Sequence, residues 1–482
     1  MVTEDVPPCL SLWLEAAATR HPEQLAYTFL SDGVSPSAAL TYGQLRQQSN
    51  QVATRLLERG LAGRNVVLAF PAGLGFIVAF LGCLRAGAVA VPQPLPRANR
   101  TIAGFEAVLK DTRAPLVLTG AKQVGRLRGL LPLADFAVLE EWLHDGDSGT
   151  RFPSPSAGDL AFIQYTSGST GEPKGVMVSN GNLVHNQLAI RDAMGHRPGM
   201  VGVGWLPHFH DMGLVGNLLQ PLCLGSQLIF MPPGSFAQSP LNWLRAISHY
   251  RATTSGGPNF AYDLCVERIT DEQKASLDLS SWEVAFVGAE PVHAPSLERF
   301  TRAFQGCGFR SQSWFPCYGM AESTLIATGR RGLKTTSVCT EALRQGHWKP
   351  VSNGSSARLA VSCGAPPPDA TVRIQSNQSG QPGEILLASP SVARGYWEKP
   401  ELSDHIFGAS LADDEGIYLR TGDLGVLHEG ELYILGRLKE MMILRGQNYY
   451  PEDMEASAYA AHPGLEPGGT AAFNLEEDDQ QL

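Results

Sequence analysis

The chain of 482 residues is 43% hydrophobic and 17% charged. That composition excludes a disordered polymer, and the length exceeds a single typical domain of about 100–200 residues. Lysine and arginine number 37 against 47 aspartates and glutamates, a formal net charge of −10, so no basic excess exists to neutralise a phosphate backbone and no nucleic-acid partner is expected.

The N-terminus, MVTEDVPPCL, has acidic residues and two prolines where a signal peptide needs basic residues and then an apolar run. Thr41-Tyr42-Gly43-Gln44 has the form of a helix capping box. Leu45, Val52, Leu56 and Leu57 continue one helical face, and Gly60 predicts the stop. The most hydrophobic stretch, Val66 to Val91, is interrupted by Pro71, glycines and Arg85. A membrane span needs about 20 mostly uninterrupted apolar residues, so the stretch reads as strand, helix (near Leu74 to Arg85) and strand, with no transmembrane segment. Further apolar runs recur at Leu116–Thr119, Phe136–Leu139, Leu160–Tyr165, Gln227–Met231 and Glu283–Val287, mostly separated by helical segments. The alternation predicts α/β layers with largely parallel sheets.

After about Gly329 the texture changes. Residues 330–357 read as polar and irregular. From about 358 to 435 the runs are short and turn-rich (Thr371–Gln375, Glu384–Leu387, Ile417–Arg420, Glu431–Leu435), which predicts a small β-rich subdomain. Eight cysteines are scattered without a C-x-x-C pair or metal-ligand spacing, the pattern of reduced thiols in a cytoplasmic protein.

The strongest chemical signal is Tyr165-Thr166-Ser167-Gly168-Ser169-Thr170-Gly171-Glu172-Pro173-Lys174-Gly175. Glycines let backbone approach a ligand closely, and N–H groups, hydroxyls and one lysine can then surround phosphate oxygens. The spacing is not that of a Walker A loop, and Gly175-Val176-Met177-Val178 continues as a strand, so the phosphates would not sit on a helix N-terminus. Four more segments follow in order: Gly288-Ala289-Glu290-Pro291, Tyr318-Gly319-Met320-Ala321-Glu322, Tyr418-Leu419-Arg420-Thr421-Gly422-Asp423 and Gly436-Arg437-Leu438-Lys439. An aromatic face suits a purine, a carboxylate near a strand end can accept two ribose hydroxyls, and one carboxylate plus phosphate oxygens is an ordinary Mg²⁺ shell. Taken singly, each residue also has a plain reading: Asp423 a turn residue, Glu322 a cap, Tyr318 a core aromatic.

Together and in this order, the segments resemble the adenylate-forming superfamily of acyl-CoA synthetases, luciferases and peptide-synthetase adenylation domains. Gly204-Trp205-Leu206-Pro207-His208-Phe209-His210-Asp211-Met212-Gly213-Leu214, the stretch 330–357 and the segment from Lys439 to Asp453 resemble its fatty acyl-AMP ligase branch. The resemblance implies a large N-terminal domain (1–436) of layered α/β subdomains with the β-rich subdomain at 358–435. A hinge at Lys439 and an incomplete α+β C-terminal domain (437–482) follow. It implies ATP and Mg²⁺ as cofactors, a long-chain fatty acid as substrate and an acyl carrier protein as acceptor.

By the same resemblance, Lys174 and the loop Thr166, Ser167, Gly168, Ser169, Thr170 and Gly171 hold phosphates, and Glu322 holds Mg²⁺. Gly288, Ala289, Glu290, Tyr318, Gly319 and Met320 frame adenine, Asp423 and Arg437 fix the ribose, and His210 lies by the reacting carboxylate. The pattern His208-x-His210-Asp211 does not match the metallo-hydrolase spacing. The family places a further catalytic lysine late in the small domain, beyond Leu482, so slow or absent adenylation by these residues alone is the expectation, with nucleotide binding retained. Two alternatives stay open: an acyl-CoA synthetase, and a non-catalytic binder of nucleotide or acyl-adenylate.

Overall fold

A computed structural model describes residues 6–96, 102–143, 149–166, 173–352, 357–376, 378–412, 414–444, 447–461, 465, 469–473, 476–477 and 480–481. The chain forms two compact units, each discontinuous in sequence. The first contains residues 1–252, 320–325 and 390–405, the second 253–319, 326–389 and 406–482.

In the first unit, the apolar stretch becomes the strand Asn65–Ala69, the helix Leu74–Ala86 and the strand Val89–Gln93. Both strands are buried along their whole length, as expected of parallel strands covered on both faces. They sit inside a six-stranded sheet ordered 136–138, 116–119, 65–69, 89–93, 160–166 and 174–179. All its neighbours are parallel except the final hairpin, Leu160–Thr166 with Lys174–Ser179. Thr41 caps the helix Tyr42–Glu58 in a full capping box with Gln44. That helix meets the buried helix so closely that a Cβ on Gly82 would lie 2.5 Å from Val52 Cγ1. A second ladder runs from Ala38–Thr41, antiparallel to Leu25–Phe29, through Gln227–Phe230 to Val201–Gly204, the last pairings parallel. Among the described residues no helix is long and apolar enough to cross a membrane.

In the second unit, Thr254–Gly256, Val284–Val287 and Trp314–Gly319 are parallel, and Ile326–Gly329 returns antiparallel. An aromatic cluster of Tyr262, Trp282, Phe300, Phe309 and Trp314 packs edge to face beneath them. Thr371–Gln375, Gly383–Ala388, the fifteen-residue strand Asp414–His428 and Glu431–Arg437 form an antiparallel sheet, as the turn-rich texture predicts.

Residues 330–357 correct the sequence reading. They are not irregular throughout: Thr335–Cys339 pairs antiparallel with Ala357–Val361, and Thr340–Arg344 is a short helix. Val338, Leu343 and Trp348 are buried against Leu424, Val426, Tyr433, Leu435 and Tyr450. Three apolar residues spread through a polar stretch are enough to dock it, because each buried side chain contributes roughly 1.5–3 kcal/mol. All eight cysteines are free.

Candidate active site

The second unit assembles a group suited to a nucleoside. Tyr318 lies on Trp314–Gly319 and Asp423 on Asp414–His428, 9% and 8% exposed. The Tyr318 hydroxyl donates to Asp423 Oδ2 at 2.7 Å. Arg437 Nε stands 3.4 Å from Oδ1, its own side chain mostly exposed. Burial pushes the Asp423 carboxyl above its ordinary range, while the Tyr318 hydrogen bond and the Arg437 charge oppose the rise. Asp423 is therefore not beside a strand end, as the sequence suggested. It lies inside a long strand, between Gly422 (φ 71°) and a register slip after Leu424. The slip makes Arg437 its cross-strand partner and re-aims its side chain.

The turn at Gly288 follows Val284–Val287 directly. A Cβ on Gly288 would sit 2.9 Å from the Cys317 carbonyl, so only glycine passes there, and Ala289 has φ 70°. Asn259 holds the turn from within: its N–H donates to Glu290 Oε1 at 2.7 Å, its Nδ2 donates to the Pro291 carbonyl at 2.9 Å, and its Oδ1 accepts from the His293 N–H at 3.0 Å. Burial raises the Glu290 carboxyl, with the Asn259 bonds opposing.

The first unit assembles a group suited to phosphate. Thr166 and Lys174 are the last register pair of their hairpin; Ser167, Gly168, Ser169, Thr170 and Gly171 lie outside the described residues. Lys174 Nζ stands 5.6 Å from the centre of the Tyr396 ring. The Tyr396 hydroxyl donates to Glu322 Oε1 at 2.7 Å. Glu322 is buried in the short 3₁₀ turn Ala321–Ser323, which hydrogen bonds fix from several sides. Its carbonyl accepts from the Ala393 N–H at 2.8 Å, Thr324 donates to the Ser391 carbonyl at 2.6 Å, and Met320 N–H donates to the Leu325 carbonyl at 2.9 Å. Asn186 from the helix Asn180–Met194 donates to the Ser323 carbonyl at 3.2 Å.

Also in the first unit, the strand Val201–Gly204 leads to a wide π-helical turn, Met212–Leu219, capped by Asp211. Such turns recur at functional sites. His210 Nδ1 lies 2.7 Å from Asp211 Oδ1, and its ring is more than half exposed. The Asp211 hydrogen bond raises the His210 pKa against the opposing effect of burial. His208 is the opposite case. It is buried, bonded to the Phe70 backbone and packed on Phe76 at 4.3 Å, and burial pulls its pKa down to about 4. His208 and Asn217 line one small apolar cavity with Leu206, Leu218 and Phe230. The two histidines thus have separate roles, and among the described residues no group of three His, Cys, Asp or Glu side chains could hold a metal ion.

The sequence reading named Lys174, Glu322, Tyr318, Asp423, Arg437 and His210. The structure joins Tyr318, Asp423 and Arg437 directly, and Lys174 to Glu322 through Tyr396. It passed over Asn259 and Tyr396, and the signal for Tyr396 was slight: a Gly-Tyr-Trp triplet after an apolar strand. Lys439 follows Glu431–Arg437 in a turn.

Each unit thus carries side chains with the chemistry to meet part of a nucleotide: an aromatic ring, a carboxylate and a cation in the second, a lysine and a buried carboxylate in the first. Residues 14–397 match the family model described as AMP-binding enzyme. The chain is 39% identical over 474 residues to the medium-chain-fatty-acid–[acyl-carrier-protein] ligase JamA of Moorena producens, covering 94% of this chain and 80% of that protein. It is 37% identical over 476 residues to the long-chain-fatty-acid–AMP ligase FadD26 of Mycobacterium marinum, covering 92% and 81%. The crystal structure of a fatty acyl-adenylate ligase from L. pneumophila with acyl adenylate and pyrophosphate is 39% identical, with TM-score 0.86 over 98% of this chain and 85% of that one. The chain belongs to the AMP-binding enzyme family, among its fatty acyl-AMP ligases.

Proposed function

We propose that this chain condenses a fatty carboxylate with ATP to acyl-AMP and pyrophosphate, then yields the acyl group to the phosphopantetheine thiol of an acyl carrier protein. A carboxylate oxygen attacks the α-phosphorus, and the bond from that phosphorus to the bridging oxygen breaks as pyrophosphate leaves. In the second step the thiol sulfur attacks the acyl carbonyl, AMP departs and the thiol proton goes to solvent. No covalent enzyme intermediate is needed, so the work is positioning and charge neutralisation.

The observation that carries the reading is the Tyr318–Asp423–Arg437 group, in which an aromatic ring, a carboxylate and a cation are held together as an adenosine requires. Tyr318 and the Gly288–Glu290 turn frame adenine, and Asp423 and Arg437 bind the ribose hydroxyls. Lys174 and the loop from Thr166 meet phosphate oxygens, and the exposed His210 orients the acid. Glu322 fits Mg²⁺, because a single buried carboxylate held on a fixed turn, completed by phosphate oxygens and water, is the usual shell of that ion. When bound, the ion neutralises charge on the phosphates.

Acceptor choice draws support from the stretch 330–357. Arg344, on its short helix, stands 5.3 Å over the Tyr449 ring, and Arg358, just past the stretch on the strand paired with Thr335–Cys339, stands 5.2 Å over Tyr450 and 3.1 Å from Asp453. These contacts tie the segment after the hinge to the insertion, which favours a carrier protein over coenzyme A. The names of relatives span medium-chain, long-chain and 4-hydroxyphenylalkanoate acids, and a long chain is our reading for this protein. Pyrophosphate release that depends on added fatty acid tests the first step; release independent of any acid contradicts it.

A further inference from the structure

We propose that Tyr396 is a positioning residue that sets Glu322 and Lys174 in one geometry for the metal and the phosphates, an inference that rests on the adenylation reading above. Tyr396 is 5% exposed, and its backbone acts as an extra strand on Lys174–Ser179. Met177 N–H donates to the Gly395 carbonyl at 2.9 Å, Arg394 N–H to the Met177 carbonyl at 2.9 Å, and Trp397 N–H to the Gly175 carbonyl at 2.7 Å. Tyr396 N–H donates to Ser403 Oγ at 2.8 Å. Gly395 lies at φ 130°, and a Cβ there would meet Ser403 Oγ at 2.8 Å, so this approach to the edge strand requires glycine. The main chain of Tyr396 is thus fixed to the same strand that begins with Lys174.

The side chain then does two things at once. Its hydroxyl donates to Glu322 Oε1 at 2.7 Å, and its ring carries the Lys174 ammonium at 5.6 Å. A ring face attracts a cation through its quadrupole without cancelling the charge. A hydrogen bond from a neutral hydroxyl orients a carboxylate and leaves it anionic. The cation and the anion are therefore both held without forming an ion pair with each other, which would consume the two charges that phosphate and metal need.

The test uses the full chain with Mn²⁺ as the probe ion and α,β-methylene-ATP as the nucleotide. Mn²⁺ binding is read by electron paramagnetic resonance, and metal-free nucleotide binding by calorimetry. Tyr396→Phe keeps the ring over Lys174 and loses only the hydrogen bond to a charged group. It is expected to weaken Mn²⁺ about tenfold, with metal-free nucleotide affinity and thermal midpoint near wild type. Tyr396→Leu loses the ring as well and is expected to weaken metal-free nucleotide binding severalfold further. A Tyr396→Phe variant with wild-type Mn²⁺ affinity overturns the proposal. So does a variant that weakens metal and nucleotide equally with a collapsed thermal midpoint, since that is a merely structural loss. Wild-type protein that binds neither probe would instead overturn the adenylation reading itself.

Discussion

The Tyr318 hydroxyl donates to the Asp423 carboxylate at 2.7 Å, joining two side chains 105 residues apart. The residue assigned to adenine therefore orients the residue assigned to ribose. Both are buried, so removing one partner leaves the other without this hydrogen bond, at a cost of roughly 1.5–3 kcal/mol for a bond to a charged group. Asp423→Asn is expected to abolish most of the preference for ATP over 2′,3′-dideoxy-ATP, measured as kcat/KM. Tyr318→Phe is expected to raise the KM for ATP about tenfold and to keep a reduced preference. An unchanged preference in Asp423→Asn contradicts the ribose assignment.

Gly213 is the second residue of the π-helical turn after His210. A Cβ there would lie 2.1 Å from the Pro207 carbonyl oxygen, a clash that backbone must move to relieve. Gly213→Ala is expected to cut fatty-acid-dependent pyrophosphate release by at least about tenfold through displacement of His210, a cost of about 1.4 kcal/mol or more. ATP binding by calorimetry is expected to survive. Wild-type KM for the acid in this variant would remove the turn from the acid site.

The helices and strands of the first unit were legible because their signals are local. The capping box at Thr41 and the interrupted apolar stretch from Val66 to Val91 each specify their own geometry. The pairing of Asp423 with Arg437 was not legible. The two-residue turn Glu429-Gly430 sets a register that would place Asp423 opposite Gly436, and a slip between Leu424 and Gly425 moves it to Arg437. Tyr396 was passed over because its partners Lys174 and Glu322 are distant in sequence and meet it only through strand addition to Val176. His208 and His210, two residues apart, look equivalent on paper. Only the fold makes one a buried neutral ring and the other an exposed partner of Asp211.

That difference predicts opposite pH behaviour. The Asp211 bond raises the His210 pKa, so its cation persists to higher pH than in a free imidazole and is lost as pH rises through the raised value. Affinity for the fatty carboxylate is expected to fall across that alkaline window. Asp211→Asn removes the cause, so the fall in a KM-against-pH profile should move to lower pH. An unmoved profile would separate the His210 charge from acid binding.

For His208 the sign reverses. Its folded pKa is about 4 against an ordinary 6.5, so folding excludes a proton that the unfolded chain accepts. Stability is intact above pH 6.5 and is lost as pH falls toward 4. Linkage gives a loss of about 2 kcal/mol between pH 7 and pH 5. The thermal midpoint of wild type should drop further over that interval than that of His208→Phe; equal drops would contradict a neutral buried ring.

The central claim is tested most directly by incubating the chain with ATP, Mg²⁺ and labelled fatty acids of several lengths, with and without coenzyme A, and separating the products. The account predicts acyl-AMP, slow to accumulate, that persists when coenzyme A is present and is consumed by a phosphopantetheinylated carrier protein. Conversion to acyl-CoA would contradict it and make the chain a synthetase.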